Sequence, residues 1–285
     1  MENSTNLISE LRQQIKVRTA ELKIEPRHTD KAHFYYVPEV DKVFSSVTAE
    51  HRHLKDPSLR NFEKNEALRY VRTNWEAFSP ENIEDHLKQA FAAPILNRDQ
   101  SGSIGDFIHL YRHIYFRSWI ETGSRPEGRI EDIARKNQSE IPNGFFPSVL
   151  SGCAGLDKFL DDTGYQPVGC EIPVYDVKTE IAGSLDDVGK IKNETVLLDV
   201  KSSNQLKDIY TLQVMDYKKM FYHLYKIRID KILIVKTSKL DRTYQLEWFK
   251  SEQQEAGLKA NYHLHKFNRY WEKIQELRKP ITTKI

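Results

Sequence analysis

The stretch VLLDVKSS, residues 196–203, decides how this chain is read. Val196, Leu197, Leu198 and Val200 are residue types that fill a buried sheet, yet Asp199 and Lys201 are set into the run. Residues i and i+2 of a strand share a face, so Asp199 and Lys201 point one way while Leu198 and Val200 point into the core. The plainest account of such a pair is a solvated polar face on which Lys201 neutralises Asp199. The preceding strands argue for more. A hairpin turn centred on Lys192–Asn193 sets Asp186 opposite Asp199, with Cβ atoms about 5 Å apart, where like charges repel. A divalent cation between the two carboxylates turns that repulsion into attraction. An earlier turn centred on Val177–Lys178 sets Glu171 opposite Ser184, on the face of Asp186 and diagonal to it. Three carboxylates and one lysine then converge, a hard-oxygen set that selects Mg2+ or Mn2+. Asp187 is turned to the other face by strand alternation and is discounted as a ligand.

Around this centre the hydrophobic period changes. Helical spacing covers residues 4–22, the helix IGDFIHLYRHIYFRSWIE after residue 103, and a helix over 145–162 ending at Gly164. The period then becomes that of strands over 168–175, 180–188 and 195–202. A helix over 207–226, a strand over 229–237, an edge strand over 244–249 and a last helix to about 278 complete the pattern. Residues 31–48 look extended and then turn-like, and 54–92 are polar and helical. Ser79 with Pro80 marks a helix start, and NRDQSGS, residues 97–103, is the best linker. The fold class is α/β: a central mixed sheet flanked by helices, preceded by a helical N-terminal region. Residues 1–100 form that region, 101–250 the core, and 251–285 a C-terminal helix packed on it.

The chain has 285 residues, 39% hydrophobic and 29% charged, which is a globular composition with material for a large core. A net charge of +2 announces no polyanion partner, so a nucleic-acid site has to be a local patch. Cys153 and Cys170 are too few for a disulfide framework or a four-thiolate site, and read as buried thiols in a reducing compartment. No apolar run of about 18 residues is present, and MENSTNLISELRQQ lacks the regions of a secretory signal; a cytoplasmic protein without a membrane partner is the expectation.

Other short patterns accompany the strand. Gly105 and His109 stand one helical turn apart, and a glycine inside a helix costs about 1 kcal/mol against alanine, so close approach to another backbone is its expected reason. Gln213 and Tyr217 repeat the spacing downstream. Taken in order, Gly105-x-x-x-His109, Glu171, Gly183-x-x-Asp186, Asp199-x-Lys201 and Gln213-x-x-x-Tyr217 resemble the RecB-like branch of the PD-(D/E)XK nuclease superfamily, over about residues 105–250. Phe44-Ser-Ser-Val-Thr48 and the helical stretch with Trp75 look like the N-terminal part of phage and mitochondrial-genome-maintenance exonucleases of that branch.

The resemblance implies a restriction-endonuclease-like core. It makes His109, Glu171, Asp186 and Asp199, with the Val200 carbonyl, holders of Mg2+, for which Mn2+ can substitute. Lys201 would position or deprotonate the attacking water, with Asp199, Asp186 and Glu171 as its catalytic company. Gln213, Tyr217, Ser203 and Arg112 would support the ligands or contact the substrate backbone. Arg117, Trp119 and His51-Arg52-His53 are further candidates for contacting a nucleic-acid strand. The iron–sulfur members of the branch bind their cluster through four cysteines, so no cluster is implied here. The implied function is a metal-dependent DNA exonuclease acting on single-stranded or end-containing DNA in recombination, repair or phage DNA processing, alongside recombination or replication proteins. An endonuclease of the same fold, or a silent nuclease-fold binding protein, is the alternative. Residues 31–96, with Arg60, Arg69, Arg72 and Trp75, are expected to cover the active face as a basic, aromatic-lined passage.

Overall fold

The structure is a computed structural model that describes residues 2–27, 29, 33–50, 57–203 and 208–249. Its first half is α1 (Glu2–Leu22), β1 (Glu25–Pro26), β2 (Phe34–Val37), β3 (Lys42–Ser46), α2 (Val47–Glu50), α3 (Pro57–Thr73) and α4 (Ile83–Thr122). Then follow α5 (Ile130–Lys136), α6 (Phe146–Thr163), β4 (Gln166–Asp176), β5 (Ile181–Ile191), β6 (Glu194–Lys201), α7 (Asp208–Tyr225), β7 (Lys231–Thr237) and β8 (Tyr244–Phe249). The strands form one mixed eight-stranded sheet in the order β1-β2-β3-β5-β6-β7-β8, with β4 on β5. The α/β class read from the sequence is therefore present, with helices against the sheet.

The opening stretch is buried on both sides. Leu198 and Val200 join a core with Ile108, Phe116, Leu156 and Leu233, built by α4, α6 and β7. Leu197 joins the other, with Ile15, Val168, Val214, Phe221 and Ile234, built by α1, β4, α7 and β7. Each of these apolar side chains stabilises the fold by roughly 1.5–3 kcal/mol on burial. β6 runs antiparallel to β5 and parallel to β7, with α7 making the crossover that a parallel pair requires.

Several expectations need correction. The first 100 residues are not only helical: β1 to β3 extend the sheet, and β3 pairs with β5 in parallel. Residues 97–103 are not a linker but the interior of the 40-residue helix α4. Their loop-like composition is overridden from outside, since Lys239 Nζ donates to the Ser101 carbonyl (2.8 Å) and hydroxyl (2.6 Å), and Asn97 donates to Glu66. The helix begins at Ile83 rather than Pro80. Asn82 turns its side chain back to accept the Ser79 N–H and donate to the Ala77 carbonyl, which holds residues 77–82 in a turn. It ends at Gly123, whose φ of +80° suits the left-handed cap. The C-terminal helix and the region 251–285 lie outside the described residues.

Candidate active site

The site is an opening in the sheet. On one edge of β5, β3 pairs only at Ile181 and Ala182, and β6 only from Asp187 to Ile191. Among the described residues no strand borders that edge over residues 183–186. The register of β5 on β6 is the one expected from the Lys192–Asn193 turn, but the ladder stops one pair short of Asp186 and Asp199. A side chain takes over there: Asp186 Oδ2 accepts the Val200 N–H at 2.8 Å. Tyr217 of α7 fills the rest of the gap. A Cβ built on Gly183 would lie 2.8 Å from its ring, which is why glycine suits that position. Gln213, one turn before it on α7, donates to the Tyr217 hydroxyl at 3.3 Å.

Asp199 and Lys201 share a face as expected, but that face is not solvated. Asp199 is 1% exposed. Lys201 Nζ lies 3.0 Å and 2.8 Å from its two carboxylate oxygens, and 5.0 Å from the centre of the Tyr210 ring. Tyr210 was not anticipated; its only signal is its place two residues into α7. Val200 presents its main chain to the same opening, since a hydrogen bond links it to the His109 ring.

Arg112 is the largest departure from expectation. Read from sequence as a substrate contact, it is wholly buried and cannot track a phosphate from there. It reaches from α4 into the opening. One Nη donates to Glu171 Oε1 at 2.6 Å, and the other lies 3.0 Å from Asp186 Oδ2 and 3.3 Å from Asp187 Oδ2. The latter nitrogen also stands 3.2 Å from His109 Nδ1. Arginine can only donate, so His109 Nδ1 accepts and the ring proton is assigned to Nε2. Asp187 is on the other face, as alternation requires, yet the same guanidinium reaches it through the gap. Its spacing on α4 was the available signal, because Arg112 follows His109 at i+3 and shares its face.

Glu171 is displaced from its expected register. The turn between β4 and β5 spans four residues, so Pro173 faces Ser184 and the ladder slips by two. Glu171 comes level with Asp186, between the pairs Cys170↔Asp187 and Ile172↔Leu185. An even slip keeps the side chain on its face. Its φ of +49° is costly for a non-glycine strand residue, and the bonds from Arg112 and Ser184 (3.3 Å) hold it there.

Burial and charge divide the titrating groups. Burial lowers His109 to about 4, despite the pull of Asp186 the other way, so the imidazole is neutral at pH 7. Burial opposes the charge of Asp186, but Arg112, His109, Lys201 and the Val200 N–H outweigh it and hold the carboxyl well below its usual range. Asp199 is pushed up to about 6 by burial, with Lys201 pulling it down. Burial also raises Glu171 and, further, Asp187, in both cases against the pull of Arg112. Lys201 is raised because Asp199 and Asp186 outweigh its burial.

The chemistry of the donors, carboxylates with a main-chain carbonyl, suits a hard divalent cation, whereas the one lone pair of the neutral His109 imidazole is taken by Arg112. Among the described residues no group of three or more His, Cys, Asp or Glu side chains surrounds one ion-sized point as placed. Arg112 and Lys201 stand among them, Arg112 against Glu171, Asp186 and Asp187, and Lys201 against Asp199.

Other expected contacts are dispersed. A Cβ on Gly105 would lie 2.6 Å from Ser202 Oγ, so the close approach is by the residue after Lys201 rather than by backbone. Ser203 is half-buried just beyond β6. Arg117 pairs with Glu121 at the surface (2.9 Å), and Trp119 is in the core. Arg69 pairs with Glu66 at 2.8 Å, while Trp75 is 68% exposed. His51, Arg52 and His53 lie outside the described residues, as does the side chain of Arg60. Tyr35 of β2 also belongs to the opening: its phenol is raised by burial and by nearby Glu171.

Compared with protein-family models and with curated proteins, the chain finds no match. No helix among the described residues is long and apolar enough to cross a membrane.

Proposed function

We propose that the chain is a metal-dependent DNA nuclease of the PD-(D/E)XK kind, with exonuclease action on single-stranded or end-containing DNA. The observation that carries the reading is the pair of buried Asp199 and half-buried Lys201 beside Asp186, at a point where β5 and β6 part and where α4 and α7 bring His109, Gln213 and Tyr217. The order helix, three antiparallel strands, crossover helix and parallel strand supports it. So does burial, since a purely structural acid–base pair places no demand on an opening in the sheet.

In this reading Asp186, Asp199 and the Val200 carbonyl hold Mg2+ or Mn2+, while His109, whose single lone pair accepts from Arg112, stands beside them rather than among the ligands. A bound ion supplies a polarised water and stabilises charge on the phosphorane-like transition state. Lys201, held by Asp199 and the Tyr210 ring, orients that water and balances the developing negative charge. Lysine suits the role as a compact charge responsive to its surroundings. Asp186 holds β6 at the right distance through Val200. Gln213 and Tyr217 keep the opening from closing and meet the substrate backbone.

End-labelled single- and double-stranded oligonucleotides and closed single-stranded circles, incubated with Mg2+ and resolved on a gel, test the reading. Shortening of linear strands by the wild type, with circles intact and Lys201→Ala slower by roughly 10²–10⁴-fold, is expected. Wild-type turnover by Lys201→Ala refutes the assignment of the site. Cutting of circles as fast as linear strands replaces the exonuclease with an endonuclease.

A further inference from the structure

We infer that Arg112 is a built-in cation of the site, occupying the place of a second metal ion, so that the site takes one divalent ion and Glu171 is not among its ligands. The inference rests on the proposed function. Its grounds are geometric. Glu171 and Asp186 are level across β4 and β5, where two carboxylates repel unless a cation lies between them. The guanidinium of Arg112 lies there, 2.6 Å from one and 3.0 Å from the other, with Asp187 at 3.3 Å. It is wholly buried and an arginine does not lose its proton, so the charge is permanent. A planar fork reaches two carboxylates at once, which an ammonium at that position does not.

The remaining donors face a different side of the opening. Asp199 forms its ion pair with Lys201, at 2.8 Å, rather than with Arg112, while Val200 offers its main chain between Asp186 and His109. One ion is expected on that side. Arg112 also donates to His109 Nδ1, the ring's single lone pair in that tautomer, so it fixes the ring as well as neutralising the acids. It is a positioning residue, since it is sealed from any substrate.

Titration of the metal-free protein with Mn2+, by calorimetry and by the Mn2+ spin-resonance signal, reads the stoichiometry without reference to cleavage. One ion per chain is expected for the wild type. Glu171→Gln should bind one ion with affinity within about threefold of wild type, whereas Asp199→Asn weakens it by about tenfold or more. Arg112→Gln should melt about 6 °C or more below wild type in EDTA, because three carboxylates lose their buried partner. It should bind a second Mn2+ and recover more of its melting temperature with the ion than the wild type gains. Arg112→Lys should restore only part of the loss. Two ions on the wild type, or equal weakening by Glu171→Gln and Asp199→Asn, overturns the inference while leaving the nuclease reading intact. No Mn2+ on any variant overturns the metal-site reading and the one-ion count with it. If Arg112→Gln does not fold, the wild-type titration decides the count and the Glu171 and Asp199 variants decide the ligands.

Discussion

Replacing Gly183 by alanine should unseat Tyr217. The new Cβ would lie 2.8 Å from Tyr217 Cε1 and 3.1 Å from its hydroxyl oxygen, against an ordinary carbon contact of about 3.5–4.0 Å. Neither side yields freely. Gly183 is held in the β4–β5 ladder opposite Val174, and Tyr217 is 5% exposed within the core formed with Val214, Phe221 and Ile181. The ring must move by on the order of 1 Å, and overpacking of a closed core costs roughly 1–3 kcal/mol. For a chain of this size that lowers Tm by about 2–12 °C.

Thermal melts of wild type, Gly183→Ala, Tyr217→Ala and the double variant give the coupling directly. Tyr217→Ala alone creates a cavity and should cost about 3–5 kcal/mol. In its background Gly183→Ala should be nearly neutral, leaving a coupling of roughly 1–3 kcal/mol. The movement also breaks the 3.3 Å bond from Gln213, so Gly183→Ala should cleave slowly although Asp199 and Lys201 are untouched. A Gly183→Ala melt within 1 °C of wild type, or equal costs in both backgrounds, would show that the ring does not cover Gly183 and that the opening is shaped by something else.

Three further outcomes follow from the same physics. Asp157 is raised to about 6 by burial, against the pull of the Glu131 and Ile130 N–H groups that it accepts at 3.0 and 2.9 Å. A carboxyl raised in the folded state contributes stability below about pH 4 that is lost as pH passes about 6, here roughly 3 kcal/mol, so Tm of wild type should fall relative to Asp157→Asn between those values; parallel curves would refute it. Burial raises both thiols, Cys170 to about 12, so neither Cys153 nor Cys170 should react with a thiol reagent at pH 7 until the protein unfolds, as a timed absorbance assay would show. Millimolar Mg2+ or Ca2+ should raise Tm, with Ca2+ supporting little cleavage, and a melt unmoved by either ion speaks against a carboxylate metal site.

Much of the fold was legible because its signals are local. The changes of hydrophobic period located α6, β4 to β8 and α7 within a few residues, and the tight turn at residues 192–193 set the β5–β6 register. The failures arose where distant contacts outweigh composition. Asn, Asp, Ser and Gly between residues 97 and 103 favour a loop, but Lys239 and Glu66 satisfy that segment in a helix. A longer turn before β5 slipped Glu171 by two places, and the error was harmless to the site because side-chain direction repeats every second residue. A slip of one would have turned Glu171 away from Asp186.

Arg112 was misread for a different reason. Sequence shows an arginine on an amphipathic helix near acidic strands, and an arginine in such a place more often meets solvent or phosphate than a core. Its burial depends on a long-range fact, namely that among the described residues no strand borders one edge of β5 over residues 183–186 and that Arg112 of α4 enters at that gap. Only there can one guanidinium meet Asp186 from one face of the sheet and Asp187 from the other. The adjacent acids Asp186-Asp187 carried the hint. Alternation sends them to opposite faces, and a buried acid on the helix-covered face needs a cation from the helix that covers it. His109 marks the face of α4 directed at Asp186, and the basic residue three positions on, sharing that face, is Arg112. A buried acid pair on a strand and a histidine–arginine pair at i, i+3 on the covering helix are thus one feature, in which the helix supplies the charge that the parted sheet leaves unmet.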